Sequence, residues 1–240
     1  MRWGATILLA CVGWAFPFAQ SFAQGSASLD SIRIQAQEER YVDVISVGTR
    51  LLRTLPSEDP ALRTEVYLAL ATAYFSTQNE SEATRYAQRA LVSATTAADT
   101  ATMMRATRLL ADLLFAANRY EDALAMEQEG VRLAQAARDD AAHVKFLSGV
   151  GDNFTMLGLP DSAEHYYRRT LAGLAPDDVR QRAMTASNLA KLLSEKGDHG
   201  GAIAMLRPAV EELRTRDEAK YAKGLNTLAY VYHNAGMHRE

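Results

Sequence analysis

A small residue returns every 39 or 40 positions along this chain. Ala71, Ala111, Gly151, Ala190 and Ala229 form one series, and Ala83, Ala123, Ala163 and Ala202 form a second, each 12 residues behind a member of the first. Self-similarity of that length marks stacked supersecondary units rather than one closed globule. With 240 residues, 48% of them hydrophobic and 23% charged, the chain can supply a packed body of such units within the ordinary soluble range. A formal net charge of -3 gives no basic field to match a phosphate backbone, so nucleic acid is not the expected partner.

Each unit repeats one apolar pattern. Leu70, Leu110, Val150, Leu189 and Leu228 precede the first small residue, and Tyr74, Leu114, Phe154, Leu193 and Tyr232 follow it by three, which puts both sets on one helical stripe. Gln78, Asn118, Gly158, Gly197 and Gly236 come four later and are suited to end a helix in a left-handed conformation. A second helix then starts at once, carrying Ala83, Ala123, Ala163 and Ala202, with Ala90, Gly130, Thr170 and Ala209 seven residues on. Small residues at both positions make a flat face on which a partner helix can approach closely. Pro160 with Asp161, and Asp59 with Pro60, suit helix starts, whereas Pro208 predicts a kink inside a second helix.

Tyr67-Leu68-Ala69-Leu70-Ala71-Thr72-Ala73-Tyr74, followed by Ser81-Glu82-Ala83 and Ala90-Leu91, resembles the tetratricopeptide repeat (TPR), as do Val150-Gly151, Gly158, Ala163, Tyr166-Tyr167 and Leu171. The resemblance covers about residues 29 to 240. It departs from the family in a period longer than the usual 34 residues and in the loss of most unit-ending prolines, and helices of about 16 to 18 residues would absorb the difference. The implied fold is all-α, a right-handed superhelical solenoid of antiparallel helix pairs. Residues 24–63 read as a degenerate N-terminal capping repeat, with Ile32 and Val44 in place of the small residues, and 64–240 as four full repeats and the first helix of a fifth. The next alanine of the register would fall at 241, so the chain reads as cut within a repeat.

Arg2, the apolar stretch from Ala5 to Phe18 and the small residues Ser21 and Ala23 read as a signal peptide over residues 1–23. The expected location is therefore periplasmic or secreted, with no membrane span in the mature chain. Two alternatives are an uncleaved anchor and a lipoprotein signal at Leu8-Leu9-Ala10-Cys11, though the apolar run after Cys11 is unlike a polar tether. Cys11 is the only cysteine, so cleavage would leave no disulfide, zinc-thiolate site or cysteine nucleophile.

No cofactor, metal or catalysis is expected. His143, His165, His199, His233 and His238 include no pair at the i, i+4 spacing that aims two imidazoles at one metal. His199 reads as turn packing. Asp139-Asp140 and Asp177-Asp178 stand at helix starts, where carboxylates cap free N–H groups. Gly197 to Gly201 reads as a turn rather than a phosphate loop.

The resemblance implies instead a protein or peptide partner held on the first helix of each unit, at its second, fifth, ninth, twelfth and thirteenth positions. In the first full unit these are Glu65, Leu68, Thr72, Phe75 and Ser76. The residues expected to bind are Thr72, Phe75, Arg105, Arg108, Asp112, Phe115, Asp152, Lys191, Lys223, Asn226 and Tyr230. Phe75 and Phe115 would form an aromatic shelf beside Arg105 and Arg108, and Lys191, Lys223 and Asn226 a polar cluster for a carboxylate. Self-association through the exposed last helix is a further partner reading. The expected function is a protein-interaction scaffold, and the alternative is the sensory region of a longer histidine kinase or nucleotide cyclase.

Overall fold

The computed structural model describes residues 29–55 and 60–237. The expected leader with Cys11, and His238, lie outside the described residues. Among the described residues there are helices and turns and no strand. Helix α1 covers residues 29–37, and is followed by α2 (Tyr41–Thr54), α3 (Pro60–Ser76), α4 (Glu80–Thr96) and α5 (Thr100–Ala116). Then come α6 (Tyr120–Ala137), α7 (Asp140–Met156), α8 (Pro160–Gly173), α9 (Val179–Glu195), α10 (His199–Glu211) and α11 (Glu218–Asn234). The chain divides into two compact units, Met1–Leu109 and Leu110–Glu240.

The turn after each first helix follows from backbone sterics. Gln78, Asn118, Gly158, Gly197 and Gly236 all have positive φ, between 59° and 89°. The amide of the following residue then reaches back to the helix: Asn79, Arg119, Leu159, Asp198 and Met237 donate to the carbonyls of Tyr74, Leu114, Phe154, Leu193 and Tyr232 at 2.8–2.9 Å. These bonds satisfy carbonyls that a helix end would otherwise leave unpaired. Glu39 has the same geometry (φ 57°), with Arg40 donating to Gln35 at 2.8 Å, so the register extends one period before Gln78. Left-handed Ala98 and Arg138, at the ends of α4 and α6, are types that sequence reasoning does not assign there.

Helix starts are capped by short polar side chains. Asn79, Asp139, Asp198 and Asp217 accept from the amides of Glu82, Ala142, Gly201 and Lys220. Asp178 makes no such side-chain bond, so the expected capping role holds at Asp139 and not there. The first helices α3, α5, α7, α9 and α11 each run 17 residues, beginning at Pro60, Thr100, Asp140, Val179 and Glu218. The second helices shorten from 17 and 18 residues in α4 and α6 to 14 and 13 in α8 and α10. Pro176 lies just beyond α8, and Pro208, which lacks an N–H, stands within the last turn of α10.

Small residues mark the places where helices meet. Ala71, Ala111, Ala190, Ala83, Ala123, Ala163 and Ala202 are all at most 1% exposed. Gly151 takes the same place as these alanines because the Tyr167 ring lies where a methyl would go, 2.7 Å from a built Cβ. In the second unit the first helices form one layer, α7 against α9 and α9 against α11, while α8 and α10 pack behind them. Ala229, the fifth member of the series, is exposed, as is Leu225, because α10 covers another face of α11, where Gly224 meets Val210, and among the described residues no helix follows α11. In the first unit Ile32 and Val44 fill the corresponding places and are fully buried.

Gly130 of α6 meets the Phe146 ring of α7, where an added Cβ would stand 2.1 Å from the ring edge. Gly130→Ala should therefore cost about 1–3 kcal/mol through overpacking. Gly200→Ala, where an added Cβ meets nothing within 4 Å, should gain up to about 1 kcal/mol from helix propensity. Urea unfolding followed by far-UV circular dichroism checks both, and equal stabilities would show that the Gly130–Phe146 contact is not tight.

Candidate binding face

In the first unit a cavity of about 180 Å³ opens among α1, α3 and the start of α5. Its floor is apolar: Leu29, Ile32 and Leu68 are buried, with Ala36, Ala69 and Ala73 around them. Its rim carries charges of both signs. Arg105 pairs with Glu65 through both guanidinium nitrogens, and Arg33 reaches the same carboxylate at 3.8 Å. Thr72, from the expected binding set, lines the wall beside this bridge. A volume below the roughly 300 Å³ of small-molecule pockets suits one side chain rather than a cofactor.

The expected aromatic shelf divides between the two units. Phe75 is half-buried in the first, where Arg108 is half-buried as well. Phe115 belongs to the second and packs edge-on against Tyr120 at 5.3 Å, so its ring closes the turn into α6. Asp112 is exposed on the same helix as Phe115.

In the second unit, the first-helix layer is tied by polar bonds. Asp152 accepts from the Tyr167 hydroxyl at 2.7 Å and from the Asn188 amide at 2.9 Å, and Thr155 Oγ1 lies 3.1 Å from the same hydroxyl. Burial, and next the charge of Asp152, push the Tyr167 hydroxyl far above its ordinary pKa, so it acts as a fixed donor. Asp152 is thus committed to a clamp joining α7, α8 and α9. Tyr230 is exposed and its hydroxyl reaches Glu195 at 3.5 Å. Lys191 on α9 and Lys223 and Asn226 on α11 are exposed on packed neighbouring helices.

A second charged joint ties the end of α9 to α8. Lys196 Nζ donates to Asp161 at 2.8 Å and to Glu164 at 2.6 Å. These bonds hold both carboxyls below their ordinary values and raise the lysine.

Several solved structures are similar to this chain in fold. Apo RapI superposes with a TM-score of 0.78 over 88% of this chain and 81% of its own, at 15% identity. The Rap conjugation gene regulator of plasmid pLS20, in complex with the Phr* peptide, gives 0.70 over 95% of this chain and 64% of its own, at 16% identity. A signal transduction ATPase with a tetratricopeptide repeat sensor, from Pyrococcus horikoshii, gives 0.76 over 87% of this chain and 32% of its own, at 16% identity. The fold is TPR-like. No family model matches the chain, and no curated protein matches it.

Within the TPR-like register, the cavity residues that sequence reasoning missed are regular. One period of 39 residues before Leu68, Thr72 and Phe75 stand Leu29, Arg33 and Ala36, and all three line the cavity. Carrying the binding positions back into the degenerate repeat would have found them. Ile32 in place of a small residue hid the alignment.

Other constellations are structural. Ser194 Oγ lies 3.1 Å from His199 Nδ1 and accepts from Asn234 Nδ2 at 3.2 Å, but Ser194 is 3% exposed and no substrate carbonyl could reach it. This trio fastens the turn into α10 to α11. Among the described residues, no group of three or more His, Cys, Asp or Glu side chains could hold a metal ion, and no helix is long and apolar enough to cross a membrane.

The Lys196 joint has a definite pH signature. The depressed carboxyls contribute stability above their ordinary values of 3.8 and 4.5, lost as pH falls through the lower folded values. The raised lysine contributes below 10.5, and that part is lost as pH rises through its higher folded value. Lys196→Met should therefore lower the melting temperature at pH 7 and have little effect at pH 2. Equal losses at both pH values would show that only the packing of the lysine stem matters.

Proposed function

We propose that this chain is a binding scaffold that captures an extended segment of a partner protein or a peptide on its first-helix layer. The observation that carries this reading is the cavity of the first unit, with its apolar floor and a rim of two arginines around one glutamate. It would take one apolar side chain of the ligand, and an acidic neighbour of that side chain would compete with Glu65 for Arg33 and Arg105. The peptide-bound Rap regulator, similar in fold, supports a peptide as occupant. Thr72 and Arg105 in the first unit, and Lys191, Lys223, Asn226 and Tyr230 in the second, are the proposed contacts. Phe75, Arg108, Asp112, Phe115 and Asp152 complete the set. Asp152 and Phe115 act mainly by holding the layer in place. In this reading the protein is not an enzyme, and its leader over residues 1–23 would deliver it outside the cytoplasm.

A panel of peptides bearing one Leu or Met flanked by Asp or Glu, read by fluorescence anisotropy, tests the scaffold. Thr72→Trp should fill the cavity and weaken the best binder at least tenfold, since one buried anchor is worth about 1.5–3 kcal/mol. Helicity should not change. Unaltered affinity in Thr72→Trp would remove the cavity from the site.

A second reading is the sensory region of a longer signalling protein. The match to a repeat sensor carried by a larger signal transduction ATPase favours it. The reading frame beyond Glu240 separates the two. A stop after one more helix fits the scaffold, and about 20 apolar residues followed by a kinase or cyclase domain fit the sensor.

A further inference from the structure

The first unit carries a second pocket, on the face of α3 turned away from the cavity. Pro60, Arg63 and Tyr67 of α3 line it together with Arg85, Gln88, Arg89, Val92 and Ser93 of α4, around about 540 Å³. At 3.6 residues per turn, positions 60, 63 and 67 point roughly opposite to 65, 68, 69 and 72, so the two openings are separate. We infer that this pocket is a binding site for a phosphate monoester.

Charge and donor supply argue for that ligand. Three arginines line the pocket, and among the described residues only Arg85 has a carboxylate partner, Glu82. Arg63 donates to the Leu55 carbonyl at 3.2 Å and the Tyr67 hydroxyl at 3.3 Å, which leaves three of its five N–H groups. Arg89 has no carboxylate partner among the described residues. The balance of three cations and one anion is complementary to a phosphoryl dianion rather than to a single carboxylate. Guanidinium forks also match phosphate oxygens in pairs.

The arginines are held before any ligand arrives. Tyr86 is buried and stacks on Tyr74 with ring centroids 5.6 Å apart and planes 5° from parallel. Arg85 and Arg89 lie over the Tyr86 ring at 5.0 and 5.8 Å, and Arg63 lies 6.0 Å from the Tyr67 centroid. Stacked guanidinium groups lose less rotamer freedom on binding. Tyr67, Val92 and Pro60 give the pocket an apolar wall, and Val92 is 67% exposed. That wall would receive the organic body of the ester.

Titration calorimetry on the whole chain with phenyl phosphate, inorganic phosphate and benzoate tests the site. Phenyl phosphate should bind about tenfold more tightly than either of the others, and Arg89→Gln should weaken it about tenfold at unchanged helicity. Thr72→Trp should leave this binding intact, which keeps the test independent of the proposed peptide site. A phosphotyrosyl peptide binding more tightly than phenyl phosphate assigns the ester to a protein partner, and equal binding assigns it to a free small molecule. Benzoate binding as tightly as phenyl phosphate, or an unaffected Arg89→Gln variant, overturns the proposal. So does binding that appears only after Glu58→Gln and Asp59→Gln, since the arginines would then serve the chain's own acids.

Discussion

Close approach of helix backbones is the condition on which this architecture rests. A helix pair can sit at the short end of the usual 8–10 Å spacing only where both contact faces are nearly bare. Alanine and glycine supply that bareness at Ala71, Ala83, Ala111, Ala123, Gly151, Ala163, Ala190 and Ala202. The larger stripe residues, such as Leu70 and Leu189, then fill the space above and below each crossing and are fully buried. A larger side chain at a crossing has to be met by a loss opposite, as Leu70 is met by Gly48 and Val210 by Gly224. Because each such exchange is local, stability sums over neighbouring helices rather than residing in one central core.

What could be read from the sequence follows this division between local and distant causes. The turns were legible because a left-handed residue four past the stripe is a local demand, and Gln78, Asn118 and three glycines meet it. Ala98 and Arg138 were not legible: the same turn is closed there, by Asp99 and Asp139 donating to Ala94 and Ala134, but on residue types that do not favour a positive φ. Arg105 and Glu65 stand one period apart, yet the spacing alone does not say that their side chains meet. Phe115 occupies a binding position by register, but its ring packs edge-on against Tyr120. Asp152 was legible as a face residue and not as a clamp, because the tyrosine that claims it comes from the other layer.

Charge is placed unevenly over the molecule. The ties between first helices are pairs of opposite sign or hydrogen bonds from an amide to a carboxylate, as at Glu65 with Arg33 and Arg105 and at Asp152 with Asn188. Exposed pairs of this kind add little stability, about 0–1 kcal/mol each. Their effect is to fix where donors and acceptors stand. The arginines around Tyr86 are held by rings instead, which leaves more of their hydrogen-bonding capacity unspent. In the first unit the cavity rim thus carries two cations for one anion, and the arginine pocket three for one.

The Tyr167 clamp has a consequence for how such a chain can change over time. Repeats joined only by bare alanine faces are interchangeable parts, open to duplication, loss and reordering. The repeat with Gly151 is not, because its ring needs a glycine beneath it, Asp152 beside it and Asn188 from the following repeat. A copy of it inserted elsewhere would lack the last of these and leave the Asp152 carboxylate with one donor fewer. The clamp thus gives an otherwise modular array a fixed address, a place where the order of the repeats is remembered.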